Sequence, residues 1–228
     1  MDGATRGNLR LNPSVLIGRE SLLGSVVDAV RSERLVVLTG VGGVGKTRLA
    51  TGVAEAVADE FPEGVWIVEL EHVVDGSAVP DALATILGIA PQGERSLTAT
   101  VADVIAARRL LLVLDNCEHV IEAAAGLVRA VLERPGPVKI LATSRASLGL
   151  AGEREIRVPP LALGGGASSP AVILFAQRAR EVRPNFALEE GLATAPAVVE
   201  ICRVLDGLPL GIELAAARMA GMGAIDVR

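Results

Sequence analysis

The sequence predicts an α/β fold, a mostly parallel five-stranded sheet followed by a small helical subdomain. Three observations predict it. From Leu35 onward, short apolar runs alternate with stretches of helical periodicity. After residue 160 only helical patterns remain, beyond a Gly/Ser-rich segment, LALGGGASSP. The turn after the first apolar run reads GVGGVGKT. A chain of 228 residues is long enough for such a core with an appendage. Half of it is hydrophobic but only 2% aromatic, so Val, Leu, Ile and Ala must fill the interior.

The elements follow in order. Residues 1–14 (MDGATRGNLRLNPS) are polar with Gly and Pro and read as a flexible lead-in. Leu35–Thr39 is a buried strand bounded by Gly40, and the helix from Lys46 to Glu60 stops before Pro62. Val65–Leu70 is the second strand, and Val79–Ile89 and Leu97–Arg109 are helices. Leu110–Leu114 is the third strand, apolar throughout. Val120–Glu133 carries apolar residues at helical spacing and ends before Pro135. Val138–Thr143 is the fourth strand and Glu155–Val158 a short fifth. The resulting division is an α/β core at 15–160, a linker at 161–170 and a helical subdomain at 171–228. Its helices are Ala171–Arg183, Leu188–Leu205 and Leu210–Met219, with Gly207 as a stop and Pro209 as a first-turn start.

Composition excludes several function classes. A net charge of −5 gives no electrostatic basis for direct nucleic-acid contact or for an anionic membrane. No apolar segment is long enough to span a bilayer, and no signal peptide is evident. Cys117 and Cys202 are isolated, without metal-ligand spacing or a disulfide framework. A cytoplasmic location is the expectation.

Gly40–Thr47 matches G-x-x-x-x-G-K-[ST], with a strand before it and a helix after. The glycines let successive backbone N–H groups turn inward, and the helix N-terminus adds to the anion site. Lys46 supplies a compact charge for β/γ-phosphates and Thr47 a hydroxyl for Mg²⁺. With only two lysines in the chain, Lys46 and Lys139, a lysine in this position is telling. The fold class is therefore a P-loop NTPase. The expected nucleotide contacts in this segment are Gly40, Val41, Gly42, Gly43, Val44, Gly45, Lys46, Thr47 and Arg48.

In parallel sheets, ligands gather at the carboxyl ends of the strands. That rule brings Asp115 and Arg145 to the rim that carries the loop. Asp115 ends the third strand and can hold Mg²⁺ through its water shell; as an alternative it caps the following helix. Glu118 can orient an attacking water, or simply occupy a first helical turn where acids are favoured. Asn116 can position water but cannot take a proton. Arg145, after the fourth strand, can reach a γ-phosphate. Cys117 and His119 read as packing or surface groups.

The ordered set LIGRE (Leu16–Glu20), GVGGVGKTRLA, LLLVLDNCEH, ILATSRASL and DGLPLGIELAAAR (Asp206–Arg218) resembles the signal-transducing STAND ATPases. It is most similar to the NB-ARC-like module of bacterial LuxR- and SARP-type transcriptional regulators. The resemblance implies a nucleotide-binding switch that holds ADP when closed and exchanges it for ATP, with slow Mg²⁺-dependent hydrolysis. It implies that Lys46 and Thr47 serve the phosphates and Mg²⁺, that Asp115 serves Mg²⁺ and that Arg145 is the sensor; with Lys46, Asp115 and Arg145, Glu118 completes the expected catalytic set by its position alone. It places Pro209 against the adenine or ribose and the Val15–Arg19 segment, with Ile17 and Arg19, on the other side of the base. It further implies winged-helix, sensor-repeat and DNA-binding segments absent from this chain, which reads as a domain truncated at its C-terminus, and a nucleotide-dependent oligomer. Many relatives have a second acid where Asn116 stands. A nucleotide-holding scaffold without turnover is therefore the alternative, and a P-loop kinase a remote one.

Overall fold

A computed structural model describes residues 7–9, 16–91, 95–188 and 194–220. It resolves into two compact units. The first holds residues 21–40 and 46–157, together with the start of the chain; the second holds 15–20, 41–45 and 158–228.

The first unit is built on five parallel strands: β1 (Leu35–Thr39), β2 (Val65–Glu69), β3 (Leu111–Asp115), β4 (Lys139–Ser144) and β5 (Glu153–Arg157). Their order is β2-β3-β4-β1-β5. The α/β class and the parallel sheet are thus as the sequence predicts. Every residue of β1 and β3 is buried, because helices cover both faces of the sheet. On one face, Leu35, Val37, Leu112, Leu114, Ile140 and Ala142 pack against α3 (Val79–Leu87), α4 (Leu97–Ala106) and α5 (Ile121–Leu132). On the other lies α2 (Lys46–Val57), with Leu49, Ala50, Val53, Ala54 and Val57 buried. The helix ends have local causes: the Ser96 hydroxyl accepts the Ala99 N–H at the start of α4. Gly88, in the left-handed region at φ +65°, closes α3.

Three features depart from the sequence reading. Glu20–Ser32 forms a helix, α1, which buries Val26, Val27, Ala29 and Val30. Gly24, three serines and three valines give it low intrinsic propensity, so packing rather than local preference makes it helical. The expected flexible lead-in contains a tether. The Asn8 side chain accepts the Ile67 N–H and donates to the Ile67 carbonyl, both at 2.7 Å, closing the open edge of β2. The helix expected to reach Arg109 ends at Ala106, and Leu110 lies outside the strand, which begins at Leu111.

The second unit contains α6 (Pro170–Val182), α7 (Thr194–Val204) and α8 (Pro209–Ala217). Of the helix expected over 188–205, residues 189–193 lie outside the described residues. The Ser169 hydroxyl caps α6 and Pro170 fits its first turn. The core gathers Val172, Phe175, Ala179, Val198, Cys202 and Ile212, with the Phe175 and Phe186 rings tilted at a centroid distance of 6.0 Å. Leu161, expected in a linker, is instead part of this core: it is buried, and its N–H donates to the Gly207 carbonyl at 2.9 Å. Among the described residues no helix is long and apolar enough to cross a membrane.

Candidate nucleotide site

In the sheet unit, β1 delivers the chain to Gly40 and α2 begins at Lys46. Lys46 is only 6% exposed, and its Nζ donates to the Gly40 carbonyl at 2.9 Å. Burial lowers its ammonium pKa, with Arg145 adding to the effect while Glu118 and Asp115 oppose it. The Thr47 hydroxyl faces both oxygens of Asp115, at 2.8 and 3.0 Å. Asp115 is 5% exposed and also accepts from the Thr143 hydroxyl at 2.5 Å. Strand order explains this cluster: β3 and β4 are neighbours, so their carboxyl ends place Asp115 beside Thr143.

Beyond Asp115 the chain turns sharply. Asn116 is left-handed (φ 60°, ψ 51°), a conformation that Asn tolerates better than most residues. Its N–H donates to the Thr143 hydroxyl at 3.0 Å. Cys117 and His119 have the packing and surface roles expected of them. The Cys117 thiol is buried, with its pKa pushed up to about 12 by burial. The exposed His119 ring donates from Nε2 to the Val73 carbonyl at 3.1 Å. Glu118 Oε1 pairs with Arg145 Nε at 3.2 Å, while Glu118 Oε2 is buried without a hydrogen-bond partner among the described residues. These two residues line a cavity of about 280 Å³ with Ser144, Ala146, His119 and Ile121.

In the helical unit, Val41–Gly45 forms the tip of the loop. The Leu210 N–H, in the first turn of α8, donates to the Gly43 carbonyl at 3.1 Å. Arg19 is 8% exposed and its Nη2 donates to the Val44 carbonyl at 3.3 Å. Two loop carbonyls are thereby held from the helical side, which favours the opposite orientation for neighbouring N–H groups. Gly43, at φ +74°, leaves a space that a Cβ would occupy only 2.9 Å from Leu210 Cβ. Pro209 approaches the Gly45 position to 4.0 Å. Ile17 is half-buried against the helical core. Val15 lies outside the described residues. Val41 is exposed, Gly42 is exposed and Arg48 is half-buried in the first turn of α2.

Sequence reasoning missed Thr143, Leu210 and the carbonyl-holding contact of Arg19. Thr143 sits inside an apolar strand, and a single polar residue there carries no motif. The signal available was position alone, at the end of the strand beside Asp115.

The residues fit a phosphate-bound Mg²⁺. The Thr47 hydroxyl and Asp115 carboxylate supply hard oxygen donors side by side. Among the described residues no group of three or more His, Cys, Asp or Glu could hold a metal ion alone. Mg²⁺ commonly takes its remaining ligands from phosphate and water.

An AAA-domain family profile matches residues 30–157, more than half the chain and ending where β5 ends. The chain belongs to this family of P-loop ATPase domains. It is 42% identical over 211 residues to an uncharacterized protein of Mycobacterium tuberculosis, covering 92% of this chain and 52% of that protein. It is 43% identical over 194 residues to an HTH-type transcriptional regulator of the same organism, covering 85% of this chain and 21% of the regulator. The chain thus spans about half the length of the first of these relatives or less. By structure it resembles the Walker-type ATPase of Pyrococcus abyssi, with a TM-score of 0.61 at 14% identity, over 92% of this chain and 70% of that one. It also resembles a STAND protein with a tetratricopeptide repeat sensor from Pyrococcus horikoshii, with a TM-score of 0.52 at 16% identity, over 88% and 30% of the two chains.

Proposed function

We propose that this chain is the adenine-nucleotide switch of a longer regulator, with slow Mg²⁺-dependent ATP hydrolysis. The observation that carries the proposal is the pairing of Thr47 with Asp115 at the start of α2, beside a buried Lys46. Lys46 exchanges its Gly40 carbonyl partner for β- and γ-phosphate oxygens, a stronger charge-assisted contact. Thr47 and Asp115 would hold Mg²⁺, which would supply charge neutralisation. Arg145 leaves Glu118 for the γ-phosphate. Glu118 then orients a water for in-line attack on the γ-phosphorus and accepts its proton, and the bond to the β,γ-bridging oxygen breaks. Pro209, Ile17 and Arg19 are assigned to the base side, with Arg19 acting through Val44.

The switch follows from which groups see the γ-phosphate. ADP leaves Arg145 on Glu118, whereas ATP offers Arg145 a competing anion, a difference in contacts that can bias two states. The second reading, a nucleotide-holding scaffold, is favoured by Asn116 standing where a proton acceptor would serve and by the Glu118–Arg145 pair itself. A single-turnover assay with Mg-ATP separates the two. Phosphate release by wild type that Glu118→Gln slows by about 10²-fold supports the switch. Tight nucleotide binding with no phosphate release supports the scaffold and overturns hydrolysis.

A further inference from the structure

Thr143 is fully buried in β4, and its hydroxyl sits in a chain of hydrogen bonds whose direction can be worked out. The Asn116 N–H can only donate, so the Thr143 oxygen accepts it, at 3.0 Å. That leaves the single Thr143 hydroxyl proton for Asp115 Oδ1, at 2.5 Å. The Thr47 hydroxyl, 2.8 and 3.0 Å from the two Asp115 oxygens, donates its proton to that carboxylate too. The lone pairs of Thr47 are then turned away from Asp115 and free to face a cation.

We infer that Thr143 is a positioning residue for the Mg²⁺ site, fixing the carboxylate plane of Asp115 and through it the orientation of the Thr47 hydroxyl. The inference rests on the reading of Thr47 and Asp115 as the metal-facing pair. Packing alone does not ask for a hydroxyl here. Valine has nearly the same shape and suits a fully buried strand position at least as well. What threonine adds is one donor and one acceptor, and both are used. Without them the Asn116 N–H loses its acceptor, and among the described residues the Asp115 side chain is held by the Thr47 hydroxyl alone. The carboxylate can then turn, and the Thr47 lone pairs turn with it.

The test measures binding, not turnover. Fluorescent ADP is titrated against the full chain with Mg²⁺ and with EDTA, and the ratio of the two affinities isolates the metal contribution. In Thr143→Val that ratio falls about tenfold, the size expected for a lost hydrogen bond to a charged group, while affinity in EDTA stays near that of wild type. Thr143→Ser retains the wild-type ratio. Thr143→Ala, a second variant without the hydroxyl, repeats the loss if Val disturbs folding, and thermal unfolding in EDTA reports on folding directly. In an Asp115→Asn background, Thr143→Val has little further effect on the ratio. A Thr143→Val ratio equal to that of wild type would overturn the inference. So would an equal loss of affinity in Mg²⁺ and EDTA, or failure of serine to restore the ratio. A wild-type ratio of one would overturn the metal reading underneath it, a result distinct from wild-type Mg²⁺ dependence that survives in Thr143→Val.

Discussion

Replacement of Gly207 by alanine tests whether the turn before α8 is fixed by its backbone. Gly207 has φ +68°, and a Cβ there would lie 2.3 Å from the Leu161 carbonyl oxygen. Real Cβ contacts do not fall below 3.0 Å, so the two chains must separate by at least about 0.7 Å. The neighbour is backbone, with no flexible end to swing away. The left-handed conformation itself costs a non-glycine residue about 1–2 kcal/mol. Separation strains two hydrogen bonds, Leu161 N–H to the Gly207 carbonyl at 2.9 Å and Gly207 N–H to the Cys202 carbonyl at 3.0 Å. Each contributes about 1 kcal/mol. The helical unit should therefore lose about 3–4 kcal/mol. Hydrogen exchange at the α7 and α8 amides reports this directly as lowered protection. Nucleotide affinity should fall as well, because Leu210, three residues on, holds the Gly43 carbonyl. Gly211→Ala is the control. Its Cβ meets only the side chain of Leu205, at 3.3 Å from Cδ2, and alanine favours a helix interior by about 1 kcal/mol. Wild-type protection and affinity in Gly207→Ala, or equal damage from Gly211→Ala, would refute the reasoning.

Further predictions concern the sheet unit and the thiols. Lys46→Ala should weaken ATP and ADP binding by at least about tenfold in calorimetric titration, because the loop loses its charge-assisted phosphate contact. Glu118→Gln should keep nucleotide affinity and lower single-turnover phosphate release by about 10²-fold. Arg145→Ala should leave ADP affinity near wild type and remove any preference for ATP, measured by competition between the two nucleotides. Cys117 and Cys202 should resist iodoacetamide at pH 8 until the protein unfolds, since burial raises their pKa values from 9.0 to about 12 and about 11. The unfolded chain gives up these protons first. The thiol contribution to stability is therefore complete below pH 9 and declines as pH rises toward 12, measurable as a falling urea midpoint.

Much of the architecture was legible because the signals were local. The loop glycines and Lys46 lie within eight residues, between an apolar strand and an amphipathic helix. Asp115 stands where an apolar run ends, and the sheet-rim rule connects it to the loop without coordinates. The helix at Glu20–Ser32 was not legible, since its propensity is weak and its burial belongs to the folded unit. Leu161 was hidden for a related reason. A leucine beside a glycine-rich stretch looks like linker until Gly207 meets it.

By itself, the sequence determined the class of fold, the phosphate loop and the acid at the end of the third strand. These depend on periodicity and on residues close in the chain, where covalent geometry does the placing. Only the tertiary structure decided what surrounds them. Strand order put Thr143 next to Asp115, 28 residues away in sequence, and gave its hydroxyl a direction. Folding of the helical unit likewise brought Leu210 and Arg19 to two carbonyls of the loop. A hydrogen bond between distant residues has no spacing to read; it exists only once packing has chosen which strands and helices are neighbours.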